Sequence, residues 1–286
     1  MVFFGSFPRL LRSCSINYTP SSAKKNSAKN PHTIFSSTPV PSLLAAVADL
    51  VFPRTCVVCG GDLEAGEEHI CAHCASDIPL TRYEGRECNP MADALNARIQ
   101  ERIVAEGGAY EPYSRACALF FYKADSPYSN ISKALKYRYN RSAGRFFASM
   151  LGERMAASPL YADVDAVVPV PLHWMRRWRR GYNQAEVIAA AICAALPSAQ
   201  LCPAMLRRRS RTRSQARLSS AAERSVNLRG AFKARPVSFC GQFPRHILLV
   251  DDVCTTGATL CECHRALRAA FGPRVRISVA TLGFVI

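Results

Sequence analysis

One ordered run of residues constrains the fold of this 286-residue chain more than any other feature. The apolar segment from Ile247 to Val250 is predicted to be a buried β-strand, and Asp251 and Asp252 follow it directly. A loop of small and hydroxyl-bearing residues, 254–259, comes next, and a helix is predicted to begin within it. This order predicts a βα unit of an open α/β sheet, in which ligands bind at the carboxyl ends of the strands.

The two carboxylates and the loop predict a sugar-phosphate site. Backbone N–H groups at a helix N-terminus, together with threonine hydroxyls, favour a phosphate, and Gly257 lets the backbone approach a ligand closely. Asp251 and Asp252 can accept hydrogen bonds from ribose hydroxyls and help to place a cation. The run is not a Walker phosphate loop, because Gly-Lys-Ser/Thr is absent. The alternative, an N-cap aspartate in an ordinary βα turn, is disfavoured by the ordered combination.

Strands and helices are predicted to alternate through the second half of the chain, which favours a mostly parallel α/β sheet with helices on both faces. The predicted strands are Ala116–Tyr122, Ala166–Val170, Ile247–Val250 and Arg274–Leu282. The predicted helices lie near 90–105 and at Tyr128–Tyr137, Gly144–Met155, Ala185–Leu196 and Ala258–Phe271.

Two closely spaced Cys-x-x-Cys pairs, Cys56/Cys59 and Cys71/Cys74, predict a tetrahedral Zn²⁺ site of four thiolates. So short a segment has no core of its own, so the metal would hold it together, and the role is structural. Disulfides or a redox pair are the alternatives. The chain has 13 cysteines, an odd number, and no apolar signal-peptide core, which indicates a reducing, cytoplasmic compartment.

The net charge of +16 predicts anionic partners, such as nucleic acid or phosphorylated metabolites. No apolar run reaches the ~18 residues of a membrane span. A cluster of arginines and tryptophans favours single-stranded nucleic acid, since it combines phosphate neutralisation with stacking faces; it comprises Trp174, Arg176, Arg177, Trp178, Arg179 and Arg180. A pyrophosphate-binding lid that includes the arginines of 207–213, or a solvated run of charge, remains an alternative.

Composition divides the chain into four predicted segments. Residues 1–41 are predicted to be a disordered basic tail, or a segment that results from a translation start placed too far upstream. A transit peptide is the alternative. Residues 42–80 are predicted to hold a short helix, capped by Ser42 and ended before Pro53, and the zinc ribbon. Residues 81–115 are predicted to be a linker, and 116–286 the α/β domain.

The run from Ile247 to Thr259 resembles the 5-phosphoribosyl-1-pyrophosphate (PRPP) motif of type I phosphoribosyltransferases. Other segments resemble the signature of the ComF family of competence proteins and their GntX-like relatives. They are Phe52-Pro53 with Cys56, Leu135–Tyr137, Val168–His173, Arg180–Glu186, the run 211–218, Arg224, Asn227 and Gly230–Phe232. The match runs in the family's order from about Ser42 to Leu282.

The resemblance implies a type I phosphoribosyltransferase-like fold and a set of roles. Asp251 and Asp252 would hold the ribose hydroxyls, with Mg²⁺ and basic side chains stabilising the pyrophosphate. The 5-phosphate would lie in the loop formed by Cys254, Thr255, Thr256, Gly257, Ala258 and Thr259. Pro171 and Leu172 would lie near the pyrophosphate, and Lys136, Arg180 and the stretch 207–217 would cover the anion. The family is associated with DNA uptake, in which a partner helicase draws in single-stranded DNA. No element for recognising a particular base is apparent.

Overall fold

A computed structural model describes residues 54–108, 110–137, 140–209, 228–239 and 241–286. The predicted N-terminal tail, the helix after Ser42 and the arginines of 210–217 lie outside these residues. No helix in the described ranges has both the length and the apolar character needed to cross a membrane.

The helices and strands alternate along most of the described chain. In chain order they are α1 (Ala72–Ser76), a 3₁₀ turn (Tyr83–Gly85), α2 (Pro90–Glu106), β1 (Ala116–Tyr122), α3 (Ser129–Tyr137), α4 (Arg141–Ala156), β2 (Ala166–Pro169), α5 (Trp174–Arg180), α6 (Gln184–Ala195), β3 (Gln200–Leu201), β4 (Leu206–Arg208), β5 (Phe232–Ala234), β6 (His246–Cys254), α7 (Ala258–Phe271) and β7 (Arg276–Val285).

Five strands form one sheet in the order β1-β7-β6-β2-β3, and every neighbouring pair is parallel. The strands are apolar over long stretches because a parallel sheet is covered by helices on both faces. In β6, the residues from His246 to Val250 are all buried. Helices α4 and α6 pack on each other, as do α2 and α7, and these pairs cover the sheet. The predicted α/β architecture is confirmed.

Local signals explain where the helices begin. Asn89 caps α2 by accepting a hydrogen bond from the N–H of Ala92, and Pro90 occupies its first turn. Asn140 caps α4 in the same way. Helix α2 lies within the segment predicted as a linker and buries Leu95 and Ile99 in the common core. The four-segment division itself stays a prediction.

Candidate ribose-phosphate site and zinc ribbon

The acid pair lies within the central part of the sheet, on β6. This strand runs to Cys254, four residues beyond its predicted end at Val250. The extension follows from the neighbouring strand β7, which continues to pair with it as far as Cys254 opposite Phe284. Asp251 and Asp252 are therefore held by strand pairing at the carboxyl edge of the sheet, and the connecting loop shrinks to residues 255–257.

The two carboxylates differ in their surroundings. Burial raises the pKa of Asp251 well above its ordinary value, and the adjacent charge of Asp252 raises it further. Lys136, in the last turn of α3, places its Nζ 2.6 Å from Oδ2 of Asp252. The site therefore holds one carboxylate with a raised pKa and one that is paired with a cation.

The loop after β6 borders a small cavity, where the sequence predicts a phosphate. Gly257 has a φ of 71°, a left-handed conformation that glycine adopts without strain, and α7 begins directly after it. Gly257 has no side chain to cap this helix, and the N–H of Ala258 instead donates a long hydrogen bond to Oγ1 of Thr256 at 3.5 Å. A cavity of about 50 Å³ is lined by Asp251 and residues 253–260. Burial raises the pKa of Cys254 to about 12, so its thiol is neutral and does not repel an anion.

A second, larger cavity follows the neighbouring strand. Strand β2 ends with Pro169 opposite Val250 of β6, so its carboxyl end lies beside the part of β6 that leads into Asp251. The cavity has a volume of about 570 Å³. Its lining comprises Pro171, Leu172, His173, Trp174, Arg177, Glu186, Pro203, Ala204, Leu206, Arg207, Arg208 and Arg209. Pro171 and Leu172, predicted to lie near a pyrophosphate, thus border a space rich in arginine.

Helix α5 carries the predicted nucleic-acid residues, and none of its residues is buried. Trp174 is 60% exposed and Trp178 is 83% exposed. Arg176 and Arg179 are also exposed, and Arg177 forms an ion pair with Glu186 at 3.0 Å. Nη1 of Arg180 donates a hydrogen bond to Oε1 of Gln184, 3.2 Å away on α6. The roles predicted for these residues stay predictions.

Arg208 belongs to the stretch predicted to cover the anion, but sequence reasoning missed the strand pairing that places it in the lining of the larger cavity. Arg208 lies on β4, which pairs with β5 in a two-stranded antiparallel sheet. The guanidinium lies over the ring of Phe232, 5.3 Å from its centroid, and burial lowers the pKa of Arg208, assisted by Arg176. The ladder joins segments far apart in sequence, so only the apolar residues of 231–234 could have indicated the second strand.

The four predicted zinc ligands come together in space. The Sγ atoms of Cys56, Cys59, Cys71 and Cys74 all lie within 4.8 Å of one another. Backbone N–H groups point at the sulfurs, as from Cys71 to Sγ of Cys56 at 3.4 Å. Burial of Cys56 opposes ionisation, but such N–H donors outweigh it and lower the pKa of its thiol to about 7. Four thiol ligands with this geometry fit a structural Zn²⁺.

Comparison with known proteins finds one matching family model and several curated relatives. The double zinc ribbon domain family matches residues 47–118. Within the described residues, a single four-cysteine cluster lies in this range. Competence protein F of Haemophilus influenzae is 32% identical over 226 residues, which cover 76% of this chain and 92% of that protein. DNA utilization protein YhgH of Escherichia coli is 38% identical over 226 residues, with the same coverage.

The sheet and the cysteine cluster define a phosphoribosyltransferase-like α/β protein with an N-terminal zinc ribbon. The sequence identity to competence protein F and to YhgH extends over nine-tenths of their length, and it narrows this class to one family. The chain belongs to the ComF family, as its motifs indicate.

Proposed function

We propose that this chain binds PRPP or a related ribose phosphate together with Mg²⁺, and that it serves DNA uptake or nucleotide metabolism in the reducing cytoplasm. The names of its relatives, competence protein F and DNA utilization protein, support a process that handles incoming DNA. A helicase that draws in single-stranded DNA is the protein partner we propose.

The observation that carries this proposal is that the first aspartate of the acid pair and the loop that follows it border one small cavity. Asp251 and the loop 255–257 line the same small cavity. Carboxylates accept hydrogen bonds from the vicinal hydroxyls of a ribose, and the first N–H groups of α7 can hold its 5-phosphate. The ribose and the 5-phosphate are adjacent in PRPP, and the groups proposed to bind them, Asp251 and the loop 255–257, are adjacent in this protein.

The reaction that suits this arrangement is the displacement of pyrophosphate from an activated ribose. Positive charge develops on the sugar ring and negative charge on the leaving group. Mg²⁺, when bound with PRPP, neutralises the pyrophosphate. The arginines that line the larger cavity favour the departing anion. The chain is then a phosphoribosyltransferase of the glycosyltransferase class.

Thermal unfolding in the presence of PRPP and Mg²⁺ tests the proposal. A ligand at 100 times its Kd stabilises the native state by about 2.7 kcal/mol, which corresponds to roughly 5–10 °C for a domain of this size. We expect this shift for the native chain and none for Asp251→Asn/Asp252→Asn. The variant Asp77→Asn/Asp125→Asn removes two exposed carboxylates elsewhere and should keep the full shift. No shift in the folded native chain would contradict the proposal.

A second candidate function is the binding of single-stranded nucleic acid by α5, without catalysis. Two tryptophans exposed beside arginines support it, because bases stack on aromatic faces while guanidinium groups neutralise phosphates. Fluorescence anisotropy with an oligothymidylate tests it. Affinity should fall with salt at a slope of about −0.7 per phosphate neutralised.

Paired variants separate the two functions. Asp251→Asn/Asp252→Asn should abolish PRPP binding and leave oligonucleotide binding intact. Arg176→Gln/Arg179→Gln, which leaves the cavity-lining Arg177 in place, should do the reverse. If both variants lose both activities, the two sites are one.

A further inference from the structure

Two hydrogen bonds join the zinc ribbon to the start of α3, one from Asn130 in its first turn and one from Tyr128 directly before it. The side-chain amide of Asn130 donates to the carbonyl oxygen of Val58 at 3.0 Å. The hydroxyl of Tyr128 donates to the carbonyl oxygen of Cys74 at 2.9 Å. Val58 lies between the two cysteines of the first pair, and Cys74 is itself a predicted ligand. Both carbonyl oxygens therefore belong to the backbone around the four cysteines, which a bound metal would hold in place.

The same helix delivers Lys136 to the acid pair. From Asn130 to Lys136 the helix rises by about 9 Å, less than two turns. Lys136 then lies 2.6 Å from Asp252. A displacement of the first turn of so short a helix would move the last turn as well.

Helix α3 is held firmly enough to transmit such a displacement. Ile131 and Leu135 are fully buried. Gly144 of α4 approaches Leu135 so closely that a Cβ at that position would lie 2.4 Å from its Cδ2. The hydroxyl of Tyr182 donates to the carbonyl oxygen of Leu135. Packed interfaces of this kind shift as units and do not deform continuously.

A third contact joins the ribbon to α4, the helix beside α3. Nε2 of His69 lies 2.9 Å from Oγ of Ser142, within hydrogen-bonding distance. The His69 ring also meets the ring of Phe146 edge-on, with centroids 5.5 Å apart. The ribbon therefore contacts both helices, and they in turn pack on each other.

We propose that the zinc ribbon is a positioning element for the acid-pair site. The metal-bound ribbon holds α3, through Tyr128 and Asn130, in the position that brings Lys136 to Asp252. Loss of the metal releases the first turn of α3 and separates Lys136 from Asp252. The consequence for ligand binding rests on the proposed ribose-phosphate function, whereas the coupling itself exists in the free protein and is measurable without any ligand.

The test measures how fast the amine of Lys136 reacts with trace acetic anhydride, read by peptide mass spectrometry. Lys136 is shielded, with 26% of its side chain exposed, and exposed Lys123 in the same protein serves as the internal reference. In the zinc-loaded native chain the ratio of the two rates should be low. Removal of zinc with a chelator should raise it by at least about threefold, as expected when a local contact opens.

Variants keep the test decisive if zinc removal unfolds the chain. Tyr128→Phe/Asn130→Ala leaves all four cysteines in place, so it should retain zinc and still show the raised Lys136 rate. Tyr113→Phe removes a different tyrosine hydrogen bond, to Asp93 at 2.7 Å, and should react like the native chain. An unchanged Lys136 rate in the zinc-loaded, folded Tyr128→Phe/Asn130→Ala variant would overturn the proposal.

The outcome is separable from that of the proposed function. If the native chain does not bind PRPP but the Lys136 rate responds to the variant, the coupling stands and the ribose-phosphate function fails. If PRPP binds and the rate does not respond, the ribbon is an independent module and the coupling fails.

Discussion

The ion pair between Lys136 and Asp252 can be measured by a double-mutant cycle. The three variants are Lys136→Met, Asp252→Asn and the two combined. Exposed pairs contribute about 0.2–1 kcal/mol, and breaking a fully buried pair costs about 3–5 kcal/mol. Here the side chains are 26% and 17% exposed and the atoms are 2.6 Å apart. We therefore expect a coupling energy between these limits, about 1–2 kcal/mol.

The two single variants should differ because Asp251 lies beside Asp252. Lys136→Met leaves two neighbouring carboxylates without their cation and should destabilise the chain by about 1–2 kcal/mol. Asp252→Asn removes the same ion pair but also a negative charge that raises the pKa of Asp251. The relief of that repulsion should hold its cost below about 1 kcal/mol.

Urea denaturation of the zinc-loaded protein at pH 7, without Mg²⁺, measures all four free energies of unfolding. The coupling should persist in 0.5 M salt, because a partly buried pair is screened less than an exposed one. A coupling energy near zero, or an Asp252→Asn variant less stable than Lys136→Met, would refute the reasoning.

Three further predictions concern stability and metal content. Gly152→Ala would bring a Cβ to 3.1 Å from the Cα of Ile192. Overpacking should outweigh the gain in helix propensity and lower the free energy of unfolding by about 1–2 kcal/mol. In the same urea titration Gly85→Ala, where the added Cβ has no neighbour within 4 Å, should be neutral. Burial lowers the pKa of His264 from 6.5 to about 3. As the pH falls below 6.5, this histidine therefore takes up a proton in the unfolded state before it does so in the folded state. Protonation of the unfolded state lowers the free energy of unfolding. Between pH 7 and pH 5 this loss should be about 2 kcal/mol, and an equal loss in His264→Gln would contradict the assignment. Metal analysis should find one zinc per native chain and none in Cys74→Ser; full zinc in that variant would exclude the four-thiol site.

Local signals in the sequence were enough to predict the elements that bury apolar residues. Strand β1 and helix α7 have the predicted ends, Ala116–Tyr122 and Ala258–Phe271. Each has a long apolar pattern and a clear boundary, Gly257 in the case of α7. The close spacing of the cysteines likewise predicted the cluster that the structure shows.

Elements that depend on distant parts of the chain could not be predicted in this way. Strand β6 continues through two aspartates because β7 supplies hydrogen-bond partners there, and single-sequence patterns do not show such partners. Helix α5 buries no residue, so it lacks the apolar periodicity by which helices are found. The ladder between β4 and β5 is likewise non-local.

In the candidate site, too, the features set by consecutive residues could be predicted from the sequence, and those set by distant elements could not. The motif predicted that Asp251 and Asp252 lie near a phosphate loop, because these residues are consecutive in sequence. The bond from Lys136 to Asp252 joins two distant elements. The resemblance placed Lys136 near the anion, but its ion pair with an acidic residue follows only from the packing of α3.

Isothermal titration of the zinc-loaded chain with PRPP and Mg²⁺ tests the central claim most directly. The account predicts saturable binding of one ligand per native chain, unchanged in Asp77→Asn/Asp125→Asn and absent in a folded Asp251→Asn/Asp252→Asn variant. No heat of binding in the folded native chain, or equal binding by the acid-pair variant, would contradict the assignment of a ribose-phosphate site to Asp251, Asp252 and the loop that follows them.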